Sequence, residues 1–166
     1  MKKSYYKRGA SGAEFSRCRR WRWLLWRRWD PDRPVANFLM LNPSTADGHQ
    51  LDPTCSRARD YAEHWGFGSI FITNIFAWRA TDPEAMKAAH DPVGRRNDAA
   101  ILRAARESAI VVCAWGNYGR FLNRSEEIAR KLRANNIPLY ALRVNASGEP
   151  AHPLYLPGTL IPKNWD

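Results

Sequence analysis

The feature that most constrains this chain is Val35-Ala36-Asn37-Phe38-Leu39-Met40-Leu41, an apolar run ended abruptly by Asn42-Pro43. A continuous run of this kind is the pattern of a strand buried on both faces. Proline has no ladder donor and pushes the residue before it into an extended conformation, so the strand stops at Asn42. Ser44, Thr45 and Asp47 follow at once. An apolar strand that runs into a polar, backbone-accessible loop is how many open α/β sheets build a binding site.

The rest of the chain supplies a scaffold for such a strand. Asp52-Pro53-Thr54 starts a helix, with an acid at the N-cap and proline at the first helical position. Ala58, Tyr61, Ala62 and Trp65 form its apolar face, and Gly66 ends it. Residues 69–75 read as a second apolar strand, broken by Asn74. Thr81-Asp82-Pro83-Glu84 opens a short helix that ends at His90-Asp91-Pro92. Helices over 97–108 and 121–135 flank a third buried strand, Ile110 to Trp115, which Gly116 closes. Leu139 to Leu142 is a short fourth strand. Residues 143–166 contain four prolines and no periodicity, the pattern of a C-terminal loop over the sheet. Strands alternating with helices predict an α/β fold: a three-layer α/β/α sandwich with a mostly parallel central sheet. Right-handed crossovers then bring the carboxyl ends of the strands to one edge.

Residues 1–16 read as a basic, flexible tail and 17–166 as a single α/β domain, a size that suits one core. Between them lies Arg17-Cys18-Arg19-Arg20-Trp21-Arg22-Trp23-Leu24-Leu25-Trp26-Arg27-Arg28-Trp29. Its alternation is that of a strand. The Asp30–Pro34 turn predicts that it pairs with Val35–Leu41 as an N-terminal Arg/Trp-rich β-hairpin. The tryptophans read first as packing on the sheet. The arginines, Arg20, Arg22, Arg27 and Arg28, read as phosphate contacts, because the formal net charge of +10 favours polyanions, nucleic acid first and an anionic membrane surface second.

The three widely spaced cysteines argue against a disulfide framework, and no His/Cys/acid cluster has metal-ligand spacing. No metal or cofactor is expected. No apolar run approaches the roughly 18 residues of a membrane span, and no apolar signal segment follows the charged N-terminus, so the expectation is a cytoplasmic protein, monomeric, with DNA as its partner.

On a parallel sheet, Asn42, Asn74, Trp115-Gly116 and the segment from Asn145 to His152 converge on one edge. Taken singly, each has an ordinary structural role: a turn former, a backbone hydrogen bond within a strand, a loop histidine. Their convergence favours a site.

Two family resemblances rest on these residues. Leu41-Asn42-Pro43-Ser44-Thr45-Ala46-Asp47, Asp52-Pro53-Thr54, Asn74-Ile75-Phe76-Ala77-Trp78-Arg79 and Ala114-Trp115-Gly116 resemble domain-of-unknown-function family 1643, a bacterial and phage family with no established activity. More distantly, Leu41-Asn42-Pro43-Ser44, Phe71-Ile72-Thr73-Asn74-Ile75-Phe76, Val111 to Gly116 and Ala151-His152-Pro153-Leu154-Tyr155 are similar, in order and spacing, to motifs of the uracil-DNA glycosylase superfamily in its mismatch-specific, asparagine-bearing form. That resemblance implies a base flipped out of the stack. Asn74 would read its edge with both ends of its amide, His152 would stabilise the leaving base, and Asn42 would hold the attacking water. Leu154 or Tyr155 would enter the vacated stack.

Asp47 is a candidate acid, and Asp52 is another, read here as the helix cap. The superfamily's base-stacking aromatic is not evident, and Phe76, Trp78 or Trp115 is expected to replace it, with Ser44 in the same pocket. The expected function is therefore excision of a damaged, mismatched or modified base. The alternatives are a non-catalytic nucleic-acid-binding module of the same fold, or an enzyme acting on free nucleosides or nucleotides.

Overall fold

The computed structural model describes residues 9–44 and 50–166. Within them the chain runs β1 (Ser11–Phe15), β2 (Arg22–Arg28), β3 (Val35–Met40), α1 (Pro53–His64), β4 (Ser69–Asn74), α2 (Pro83–Lys87), α3 (Asn97–Glu107), β5 (Ile110–Cys113), a 3₁₀ segment (Asn117–Asn123), α4 (Arg124–Ala134), β6 (Tyr140–Ala141) and β7 (Lys163–Asn164). The seven strands form one sheet in the order β1-β2-β4-β3-β5-β6-β7.

β3 is central, as its unbroken apolar run demands, and every residue of it is buried. Ala36, Phe38 and Met40 face a core shared with Cys55, Ala58, Tyr61 and Ala62 of α1. Leu39 and Leu41 face the opposite core, with Ile101 and Ala105 of α3 and Ile128, Ala129 and Leu132 of α4. Helices thus cover both faces of the sheet.

Several expectations are corrected. The sheet is mixed rather than mostly parallel: β4, β3, β5 and β6 run parallel, while the β1–β2, β2–β4 and β6–β7 pairs are antiparallel. The Arg/Trp-rich strand β2 does not pair with β3. A strand has only two edges, and those of β3 are taken by its parallel partners β4 and β5, which α1 and α3 deliver by crossover. β2 lies instead between β1 and β4, where Leu25 enters the α1-side core and Leu24 and Trp26 form a separate cluster with Val35, Phe71 and Ala104 of α3. The hairpin that does form joins β2 to β1, so the sheet begins inside the stretch read as a tail. The C-terminal segment returns as edge strand β7. Helix α4 starts at Arg124 rather than at Phe121, because Leu122 and Asn123 take left-handed backbone angles, φ 54° and 56°.

Among the described residues, no helix is long and apolar enough to cross a membrane.

Candidate functional site

The mixed sheet retains the property on which the site depends. β3, β4, β5 and β6 all end at one edge, and antiparallel β2 begins there, at Arg22. A cleft of about 530 Å³ opens at this edge, a size typical of small-molecule sites. Asn42, Pro43 and Ser44 line it after β3, Asn74 at the end of β4, Trp115, Gly116 and Tyr118 after β5, and Asn145 and His152 after β6. The first turn of α1 contributes Asp52, Thr54 and Cys55. Asn42, Ser44, Asn74, Trp115 and His152 are thus brought together. Asp47 lies outside the described residues.

Each polar group has a definite orientation. Asn42 turns its amide nitrogen away, donating to the carbonyls of Ala80 at 2.8 Å and of Pro43 at 3.2 Å. Its Oδ1 is the end left for a ligand or water. Asp52 caps α1 by accepting from the Cys55 N–H at 2.7 Å through Oδ1, while Oδ2 accepts from the Ser44 hydroxyl. Burial alone would raise the Asp52 carboxyl. The hydrogen bonds from Ser44 and Cys55 and the charge of Arg22 outweigh it and hold the group below the usual carboxylate range. A carboxylate so occupied is a weak base.

His152 Nδ1 accepts from the Leu154 N–H at 3.3 Å. The neutral ring then carries its proton on Nε2, as a donor. Burial favours that neutral form and pushes the histidine below its usual value of 6.5, against the opposing pull of Asp52. The Cys55 thiol is pushed up to about 12, mainly by burial, so this cysteine is no nucleophile at neutral pH.

Arg22 is the residue that sequence reasoning misplaced. It was expected as a surface phosphate contact, yet it is 1% exposed and forms part of the cleft floor. Its backbone N–H donates to the Ala77 carbonyl at 2.9 Å, and Nη2 donates to Asn74 Oδ1 at 3.1 Å. Burial lowers its hold on its proton, while the negative charge of Asp52 acts to keep it charged. Asn74 therefore has its acceptor end turned to Arg22 and already engaged. Its backbone is held from the far side by Asn97 Nδ2, bonded to the carbonyls of Asn74 at 2.8 Å and Ile75 at 3.1 Å, and by buried Arg124 Nε, bonded to the Ile75 carbonyl at 2.7 Å.

Two aromatic candidates lie outside the cleft. Phe76 is fully buried in the core against Phe121, with ring centroids 5.7 Å apart. Trp78 packs edge-on against Trp21 at 5.2 Å. Trp115 does line the cleft, but its indole N–H is committed to Glu149 Oε2 at 2.7 Å. Tyr118, half exposed, is an aromatic at the cleft that sequence reasoning missed. Nothing in its local pattern distinguishes it from any loop tyrosine.

The loop carrying His152 is fastened to α1. Tyr61 Oη donates to the Pro157 carbonyl at 2.6 Å, Trp65 Nε1 to that of Leu160 at 3.0 Å, and Arg57 to that of Leu156. Leu154 is half-buried in this loop and Tyr155 is 95% exposed, at φ 69°. Gly116 takes φ 73°, which favours glycine, and lies beside His152, where a Cβ would meet that of the histidine at 3.6 Å.

The arginines divide by position. Arg17, Arg19 and Arg20 are exposed in the loop before β2. That loop joins the cleft wall through the segment ending at Ala80: Arg79 N–H donates to the Arg20 carbonyl, and Ala80 N–H to the Pro43 carbonyl, both at 2.9 Å. The Arg19 and Arg79 guanidinium carbons lie 4.1 and 4.7 Å from the centre of the Phe15 ring. Arg27 and Arg28, by contrast, pair with Ile70 and Ser69 at the opposite edge of the sheet, away from the cleft.

A family profile described as "Protein of unknown function (DUF1643)" matches residues 22–154, most of the 166-residue chain. The chain belongs to this family. The DUF1643 region starts at Arg22 on the cleft floor and ends just past His152, so it spans the described cleft. No curated protein and no solved structure matches the chain, and the likeness to the uracil-DNA glycosylase superfamily rests on the sequence motifs alone.

Proposed function

We propose that the protein is a DNA glycosylase-like hydrolase with the layered architecture of the uracil-DNA glycosylases, taking a single base from nucleic acid into the cleft and hydrolysing its N-glycosidic bond. One observation carries this reading. Asn42, Asn74 and His152, distant in sequence, share one cleft large enough to admit a nucleobase, beside an exposed arginine loop.

The chemistry follows from the orientations. The bond from C1′ to the base nitrogen breaks with its electron pair going to the base. The charge that develops on a base oxygen is met by the His152 Nε2–H, and a preorganised donor of this kind is typically worth about 10²–10³ in rate. A water held at Asn42 Oδ1 adds its oxygen to C1′, and the proton that it loses ends on the departing base. Asn42 orients that water without deprotonating it. The first turn of α1 adds the positive end of its helix dipole beside the cleft.

A second reading, binding of nucleic acid without cleavage, is favoured by the state of Asp52, whose two oxygens are already engaged. One experiment separates the two. Single- and double-stranded oligonucleotides carrying uracil, hypoxanthine, xanthine, alkylated, mismatched or phage-type modified bases are incubated with the protein, and alkali reveals abasic sites as strand breaks. Breaks that disappear in Asn42→Ala and His152→Ala support hydrolysis at this cleft. Tight binding with no breaks across the panel leaves the binding module.

A further inference from the structure

A side-chain amide has an acceptor end and a donor end, told apart by their partners. For Asn74 the partner decides the matter. Arg22 Nη2 lies 3.1 Å from the amide in a buried contact, and a guanidinium has donors only, so the amide oxygen must face Arg22. Nδ2 is the end left over in the cleft, and no bond from it to a described residue accompanies the Arg22 contact.

The arrangement resists reversal. Turning the amide over would set its NH₂ against the guanidinium, donor against donor, in a buried site. Rotating the backbone instead would break the bonds of Asn97 and Arg124 to the carbonyls of residues 74 and 75. His152, which also lines the cleft, carries a donor of the same polarity at Nε2.

We infer that Arg22 is a specificity-determining positioning residue: it holds Asn74 as a hydrogen-bond donor, so that the cleft selects a base whose ring bears a carbonyl oxygen over the same ring bearing an exocyclic amino group. An amino group opposite Asn74 Nδ2 pairs donor with donor. 6-oxo purines and 4-oxo pyrimidines present the same edge, a carbonyl oxygen beside a ring N–H, so the two are read alike. The inference rests on the proposal that the cleft takes a base, but not on hydrolysis.

The test uses oligonucleotides that differ at one position, hypoxanthine against adenine and uracil against cytosine, each on a 2′-fluoro sugar that resists cleavage. Equilibrium binding is measured by fluorescence anisotropy. The oxo member of each pair should bind about 10- to 100-fold more tightly, the range expected of one unmatched buried polar group. Arg22→Lys keeps a donor beside Asn74 Oδ1 and should keep the ratio. Arg22→Met releases the amide and should bring the ratio toward one. A purely structural role for Arg22 would weaken both members equally and leave the ratio intact, which overturns the inference. Equal binding of the two members by the wild-type protein overturns it as well. Should Arg22→Met fail to fold, Asn74→Ala replaces it, and a retained oxo preference there is equally fatal. Oxo preference with no abasic product from ordinary substrates keeps this inference and removes hydrolysis. Hydrolysis indifferent to the base edge does the reverse.

Discussion

At the scale of single residues, the site is built from side chains that each do structural work and leave one atom over. Asp52 is the exception, with both carboxylate oxygens engaged. It closes the first turn of α1 and receives the Ser44 hydroxyl, and its charge supports that of Arg22. Asp52→Ala should lower stability by about 1 kcal/mol for the missing cap. Asp52→Asn, which caps equally well, should recover most of that loss in urea denaturation; no recovery would mean that the charge, rather than the cap, holds the turn. His152 gives a second prediction. Its folded value lies below 6.5, so its contribution to stability is complete above the ordinary histidine range and is lost as pH falls through the folded value. An NMR titration should show the Nε2–H tautomer at pH 7 and a midpoint under 6.5; a midpoint at or above 6.5 contradicts the burial argument. Asn42 was legible in the sequence as a polar residue before a proline at a strand end, and His152 as a histidine before a proline in the loop that follows β6. The role of Arg22 was not, because a strand pattern gives alternation but does not say which buried amide will stand opposite.

At the scale of elements, the end of β4 is held from two helices at once. Arg124 from α4 reaches across to the Ile75 carbonyl and is itself paired with Asp98 of α3, which also holds Lys131. Burial would raise the Asp98 carboxyl, but Arg124 and Lys131 outweigh it and hold the group low. Its stabilising contribution is therefore full above the ordinary carboxyl range near 3.9, erodes as pH drops below that range, and is gone once pH falls through the lower folded value. Asp98→Asn should lower stability at pH 7 and flatten its fall on the acid side, as read by urea denaturation from pH 7 to pH 2.5. An unaltered acid slope would assign the acid sensitivity to other carboxylates. The segments read as helices and strands largely formed where apolar periodicity was strong. Strand partnership was less legible, because β2, β4 and β5 all had the composition to join β3 and only geometry chose between them.

At the scale of the whole molecule, the net charge of +10 matters through where it is placed. Arg17, Arg19 and Arg20 stand beside the cleft, and Arg27 and Arg28 at the far edge of the sheet. For a nucleic acid entering the cleft, changing the first three to alanine should weaken oligonucleotide binding and reduce the slope of log K against log salt by up to about three, roughly one for each phosphate no longer neutralised. Changing Arg27 and Arg28 should leave the slope nearly unaltered, and the reverse pattern would place the nucleic acid on the other edge. By itself the sequence determined that β3 would be buried on both faces, that it would stop at Asn42-Pro43, and that helices would cover the sheet, because unbroken apolar runs and proline act locally. Only the tertiary structure decided that β2 would enter antiparallel beside β4. That single placement takes Arg22 from an apparent surface arginine to the cleft floor, where it fixes the amide of a residue 52 positions away. Asn42, Pro43 and Ser44 form one wall of a cleft whose polarity is set from the floor.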